Sequence, residues 1–264
     1  RRRVDGRQDV DDSSNYLVAD LLGKFSTGAI GHEVLVGMDH ERTLGRTGGE
    51  LARVVHDGFD IFEPVYGQVP VPTEYDDDTR NARSLLRTTS VFVQDSMSIG
   101  ERWILSGSVR YQRYRQVEGA GLSYVETQNI AGSEVLPRVG ALYKLSPQVS
   151  LYANYATSFV PNIASSPTQG AFAPTEGRSM EVGSKFRIAG RVGGTFALFD
   201  IEKDNIVVNL DDDTSQAIGK ARSRGAELDV TGQVSDTLQF IGALSYTATE
   251  VLEDASGLEG NWLP

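Results

Sequence analysis

Cysteine is absent from the 264 residues, which excludes disulfides and thiolate metal sites but assigns no compartment. Histidine is scarce. His32, His40 and His56 show no HExxH spacing, so a zinc centre lacks its ligand set. No stretch approaches the roughly 18 consecutive apolar residues of a membrane-spanning helix. A membrane crossed by strands stays open, because that signal is much weaker per segment. Arg1-Arg2-Arg3 precedes no apolar h-region, so no signal peptide is read. There is no nucleophile elbow of the G-x-S-x-G type, and neither Gly31-His32-Glu33 nor Gly193-Gly194 has the strand–turn–helix setting of a phosphate loop. The net charge of -11 argues against nucleic acid as a partner, which would need clustered Lys and Arg. Hydrophobic residues make up 39 %, little for a soluble core of this size but enough for a sheet with one wet face.

What is there is alternation. Glu181, Gly183, Lys185 and Arg187 alternate with Val182, Ser184, Phe186 and Ile188, which puts polar and small groups on one sheet face and apolar groups on the other. Ala189-Gly190-Arg191 supplies a turn, and 193–201 runs back. Leu228 and Val230 alternate with Glu227, Asp229 and Thr231. Similar hairpins are expected at 15–25 with 30–42, 86–97 with 102–116, 134–145 with 149–159, and 222–233 with 237–251. That makes about ten strands. Residues 1–14 carry no period and read as the tail of a loop. Short turns at 26–29, 98–101, 146–148, 189–191 and 235–236 alternate with long links at 44–82, 117–132, 160–176 and 203–216. Long links on one side and short turns on the other are the rhythm of an outer-membrane barrel. A soluble sandwich also has one polar face, so periodicity by itself leaves the environment open.

The wording of the segments narrows it. Pro174-Thr175-Glu176-Gly177, Glu181-Val182-Gly183-Ser184-Lys185, Ala197-Leu198-Phe199-Asp200-Ile201, and Ile218-Gly219 followed by Arg222-Ser223-Arg224-Gly225-Ala226-Glu227-Leu228 stand in this order. Leu136-Pro137-Arg138-Val139-Gly140, Leu151-Tyr152-Ala153-Asn154-Tyr155 and Val91-Phe92-Val93-Gln94-Asp95 precede them. Together they resemble the barrel domain of TonB-dependent siderophore receptors of the bacterial outer membrane, with Thr175 as one inserted residue. The resemblance implies an all-β fold: an antiparallel transmembrane β-barrel fragment, about ten strands of a roughly 22-stranded barrel that encloses a plug. Residues 1–264 would then be a partial barrel domain, an internal fragment lacking the N-terminal plug and the last strands.

The same resemblance implies uptake of a ferric siderophore energised through TonB, which would act on the missing N-terminal region. Catalytic residues, a bound metal and a resident cofactor are not expected. Other cargo, such as cobalamin, a sugar or a metal chelate, is the alternative, followed by a passive porin. An outer-membrane enzyme lacks a visible nucleophile and base. Arg or Lys facing lipid near mid-bilayer costs roughly 2–4 kcal/mol. Arg138, Lys185, Arg222, Arg224, Glu227 and Asp229 are therefore expected to face the lumen or sit near an interface, and the resemblance implies a lumen position facing the plug. Loop aromatics Tyr66, Tyr75, Tyr124 and Phe172 are the candidate ligand contacts. Tyr111, Tyr114, Tyr152, Tyr155 and Tyr246 are expected in girdles at the two membrane interfaces. The acidic runs Asp76-Asp77-Asp78 and Asp211-Asp212-Asp213 read as solvated loops facing water and lipopolysaccharide headgroups rather than a Ca²⁺ site.

Overall fold

The structure, a computed structural model, describes residues 2–55, 62–63, 76–77, 81–120, 124–161, 165–166, 170–171, 173–188, 191–209, 215–217, 219–235, 237–254 and 259–262. Among them there is no helix. The strands, in chain order, are β1 (Arg2–Thr27), β2 (Ile30–Val55), β3 (Asp76–Asp77), β4 (Ala82–Ile99), β5 (Trp103–Ala120), β6 (Val125–Lys144), β7 (Val149–Val160) and β8 (Ser165–Ser166). They continue with β9 (Gly170–Ala171), β10 (Thr175–Ile188), β11 (Val192–Asp204), β12 (Val207–Asn209), β13 (Ser215–Ala217), β14 (Lys220–Ser235) and β15 (Leu238–Glu253). Ten are long and pair in the order β1-β2-β4-β5-β6-β7-β10-β11-β14-β15, each beside its neighbours in the chain. β3 pairs with β2, and β8–β9 and β12–β13 form small ribbons of their own.

The chain divides into two compact units. One comprises Arg1–Leu17, His40–Thr88 and Tyr114–Gly132; the other comprises Val18–Asp39, Thr89–Arg113 and Ser133–Pro264. In the first, Ser84 and Gln116 both donate to Glu118 Oε1, at 3.3 and 2.8 Å. In the second, β7, β10, β11, β14 and β15 form the most regular ladder.

The strands outrun the periodic segments. Residues 2–14, expected as loop, belong to β1, and β2 extends to Val55 within the stretch expected to be irregular. β5 and β6 likewise consume most of the 117–132 link. The backbone ladder is indifferent to side-chain pattern. Where both faces are exposed, as at residues 10–20, burial imposes no period. His56, Asp78 and Asp211-Asp212-Asp213 lie outside the described residues.

Register fixes the faces. Glu181 stands opposite Phe199, and Phe199 opposite Gly225; Val182 stands opposite Leu198, and Leu198 opposite Ala226. No shift interrupts β7 to β14, and β14–β15 shifts only at its ends. One face of this ladder therefore collects Met180, Val182, Leu198, Leu244 and Tyr246, all substantially exposed. Among the described residues seven aliphatic or aromatic side chains are buried, so the backbone ladder and not a closed apolar core holds these strands together.

Large rings rest on glycines in the facing strand. Tyr152 stands opposite Gly183, where a Cβ would come 2.6 Å from its ring. Phe199 stands opposite Gly225, with the corresponding distance 2.7 Å. A ring laid over a strand glycine restores packing that the missing side chain would forfeit. Gly225→Val should destabilise the folded full-length protein by about 1–3 kcal/mol through overpacking. Gly242→Ala, where a Cβ meets nothing within 4 Å, should leave the unfolding midpoint in denaturant nearly unchanged.

Candidate functional site

The polar face carries the groups that can bind something. On β4–β6 its centre is Arg110. Arg110 donates to Asp39 Oδ2 at 2.5 Å and to Ser90 Oγ at 2.9 Å, and its guanidinium lies 5.5 Å from the Phe92 ring centre. Asp39 is 3 % exposed, so its charge depends on this partner. A cavity of about 350 Å³ opens beside the group, lined by Gln94, Ser108, Arg110, Gln112, Leu136 and Arg138 among others. Arg138 has no ion-pair partner among the described residues.

Further along the same face, Tyr152 stands opposite Gly183, two positions from Glu181, and Lys185 Nζ stands 5.5 Å from its ring centre. Glu227 lies two strands beyond Gly183, opposite Ala197. Asp229 stands opposite Thr195, which stands opposite Lys185. A patch of acid groups with one lysine results, arranged in rows across β7, β10, β11 and β14. It can receive hydrogen-bond donors and cations. Among the described residues no three His, Cys, Asp or Glu side chains are grouped to hold a metal.

The six charges expected to face inward do not share one face. Arg138, Lys185, Glu227 and Asp229 stand on the polar face, as the registers through Ala156 and Thr195 require. Arg222 and Arg224 stand on the other, with Leu228 and Val230, because residues an even number apart in an unbroken strand point the same way. They occupy the end of β14 away from its short turn. There Arg222 Nε donates to Asp200 Oδ1 at 2.8 Å and a second nitrogen binds Oδ2. Arg178 reaches Asp204 at 3.2 Å, and Lys220 reaches the same residue at 3.3 Å. Pairing across strands lets these charges sit beyond the apolar rows.

Other expectations divide similarly. Tyr111, Tyr155 and Tyr246 lie on the apolar face. Tyr152 and Tyr114 do not; Tyr114 is buried over Gly132 on the polar side. Tyr124 is half-buried with φ 44°, packed on Gly119 beneath the Arg83 guanidinium at 5.2 Å. Tyr66, Tyr75 and Phe172 lie outside the described residues. His32 is structural. Its Nδ1 is 2.7 Å from Asp95 Oδ2, its Nε2 is 2.7 Å from Thr27 Oγ1, and its ring stacks on Phe25. Sequence reasoning missed the roles of Asp39 and Arg110, which lie 71 positions apart. Glu181 was visible as one member of an alternating set and of the Glu181–Lys185 segment, without a role of its own.

An antiparallel ladder of spanning-length strands, with an exposed apolar face and a charged, hydrogen-bonded one, defines a membrane-barrel wall. The model for the TonB dependent receptor-like β-barrel family matches residues 2–264, and the chain belongs to that family. It is 35 % identical over 260 residues to the metal-pseudopaline receptor CntO of Pseudomonas aeruginosa, covering 92 % of this chain and 36 % of CntO. It is 29 % identical over 229 residues to the ferrioxamine B receptor of Salmonella typhimurium, covering 86 % of this chain and 32 % of the receptor. The fold is that of the ferric-catecholate import receptor Fiu from E. coli, with TM-score 0.73 and 24 % identity, covering 94 % of this chain and 39 % of that one. The chain thus spans about a third of the length of these curated relatives. The relatives are receptors for siderophores and metal chelates, not enzymes.

Asp39→Ala should cost the folded full-length protein about 2 kcal/mol, because Arg110 loses a charge-assisted partner. The Asp39→Ala/Arg110→Gln double variant should cost clearly less than the two single changes summed. Denaturant unfolding of the four proteins in a double-mutant cycle measures the coupling.

Proposed function

We propose that the chain is part of the barrel of an outer-membrane receptor that takes up a ferric siderophore, with energy delivered by TonB to a segment outside this chain. The observation that carries the reading is the match, over 92 % of the chain, to a receptor for a metal–chelator complex. In this reading residues 1–264 are a partial barrel domain, the plug and further strands belonging to other parts of the protein. The apolar face meets lipid. The polar face lines the lumen, where Arg138, Lys185, Glu227 and Asp229 seat the plug together with Glu181 and Tyr152. Charges of both signs on one wall suit a plug that presents both signs in return. In this reading Arg222 and Arg224, which stand on the other face with Leu228 and Val230, lie near the headgroups.

A second reading keeps the receptor and changes the metal. CntO is by name a metal-pseudopaline receptor, so a chelator loaded with a metal other than iron is the direct competitor. Cells lacking the full-length gene should lose uptake of one chelate from a panel offered with radioactive iron or another transition metal, and loss of TonB should give the same defect. Unchanged uptake across the panel would sink the proposal. Which metal enters separates the two readings.

Cargo recognition is assigned to the long links, through Tyr66, Tyr75, Tyr124 and Phe172. Alanine at all four in the full-length receptor should weaken chelate binding at least tenfold by titration on whole cells. Wild-type affinity in that variant would remove the assignment.

A further inference from the structure

Near the short turns of β10–β11 and β14–β15 the polar face carries an apolar side chain. Ile241 is 88 % exposed there. Register sets its face: Arg187 stands opposite Gly193, Gly193 opposite Thr231, and Thr231 opposite Ile241. The next row away from the turns is Lys185, Thr195, Asp229 and Ala243. Both rows keep the parity of Glu181 and Glu227 on their strands, which is that of the polar face. A cavity of about 390 Å³ lies between the two rows, and every member of them except Ala243 lines it.

The cavity has two ends of different chemistry. Lys185 and Arg187 stand exposed on β10, and neither has a carboxylate partner among the described residues. Ile241 stands on β15, three strand spacings away, or about 14 Å. The floor between them is Gly193, Thr195 and Thr231. A Cβ on Gly193 would come no closer than 3.7 Å to its surroundings, so no ring fills the floor. Elsewhere on this face Tyr152 covers Gly183 and Phe199 covers Gly225. Asp229 flanks the floor on β14 and repels an anion from the Ile241 end. The backbones of these strands are bonded to one another, which leaves recognition to side chains.

An occupant must bring a carboxylate to one end and an apolar group to the other. A small anion satisfies only Lys185 and Arg187, and a hydrocarbon chain only Ile241. An extended peptide advances about 3.4 Å per residue, so side chains four positions apart span the two ends. They also leave the peptide on the same side. We propose that this cavity seats an extended segment from outside this chain, with Asp or Glu at Lys185 and Arg187 and a large aliphatic side chain at Ile241, about four residues apart. The proposal rests on the barrel reading above and deepens it, since that reading puts the plug against this face.

The test replaces Ile241 with p-benzoylphenylalanine in the full-length receptor in outer membranes. Irradiation should join it to one segment outside residues 1–264 that carries an acid about four positions from a Leu, Ile, Val or Met, read by peptide mass spectrometry. Lys185→Glu/Arg187→Glu should lower the crosslink yield about tenfold, and Lys185→Arg should keep it. Gly193→Phe, whose ring fills the floor, should lower it as far. Crosslinks to lipid, or to a segment without such an acid, overturn the proposal, as does a yield that neither change lowers. Should Gly193→Phe not fold, the charge variants and the identity of the crosslinked segment decide. Failure of the receptor reading looks different: the parent imports no chelate while the crosslink to that segment still forms.

Discussion

The constraint on which the rest depends is the unbroken register of the ladder. From β7 to β14 every residue keeps its partner, so every side chain keeps its face. A slip of one position would carry Glu227 to the side of Leu198 and Leu228 to the side of Glu181. The backbone bonds are individually modest, but they are collectively tied to a division of side chains that neither environment would accept in reverse. Among the described residues few apolar side chains are buried, and none of these forms a core that competes with that division.

Two kinds of electrostatics follow from the two faces. On the polar side, charges are held in mixed company. Arg110 is shared by a carboxylate, a hydroxyl and an aromatic ring, and the Tyr152 ring lies beneath the Lys185 ammonium. Such groups are oriented before any partner arrives. On the apolar side, charges are confined to strand ends. There they neutralise each other, as Arg222 and Asp200 do. The strand middles on that side carry Val182, Leu198 and Leu244. The contrast between the sides is one of position along the strand as much as of composition.

Much of this was legible in the chain. The two-residue period gave strand existence and face for 181–188, 193–201 and 222–233, and the ordered segments gave the family. Strand ends were not legible where both sides are wet, because alternation is the signature of a boundary between two media and disappears where there is one. For Arg222 and Arg224 charge left two places open, the lumen or an interface, and their parity with Leu228 and Val230, which already stood in the sequence, puts them on the apolar face near the strand end. Charge sets a cost that depends on depth, while parity sets direction outright. The pairing of Asp39 with Arg110 was invisible for a third reason: it joins strands whose mutual register no local pattern encodes. The loop aromatics were chosen by position alone, and Tyr124 proved to be engaged with Gly119 and Arg83 of its own chain.

The glycines beneath aromatic rings carry a consequence for descent. Tyr152 fills the space that Gly183 leaves, and Phe199 does the same for Gly225. Neither member of such a couple is free to drift alone, since a bulkier neighbour displaces the ring and a smaller ring opens a void. A Cβ at Gly183 would also meet the Phe196 backbone oxygen at 2.4 Å, and one at Gly225 the Tyr246 backbone oxygen at 2.1 Å, so in lineages diverging from this chain the glycines should outlast the rings above them.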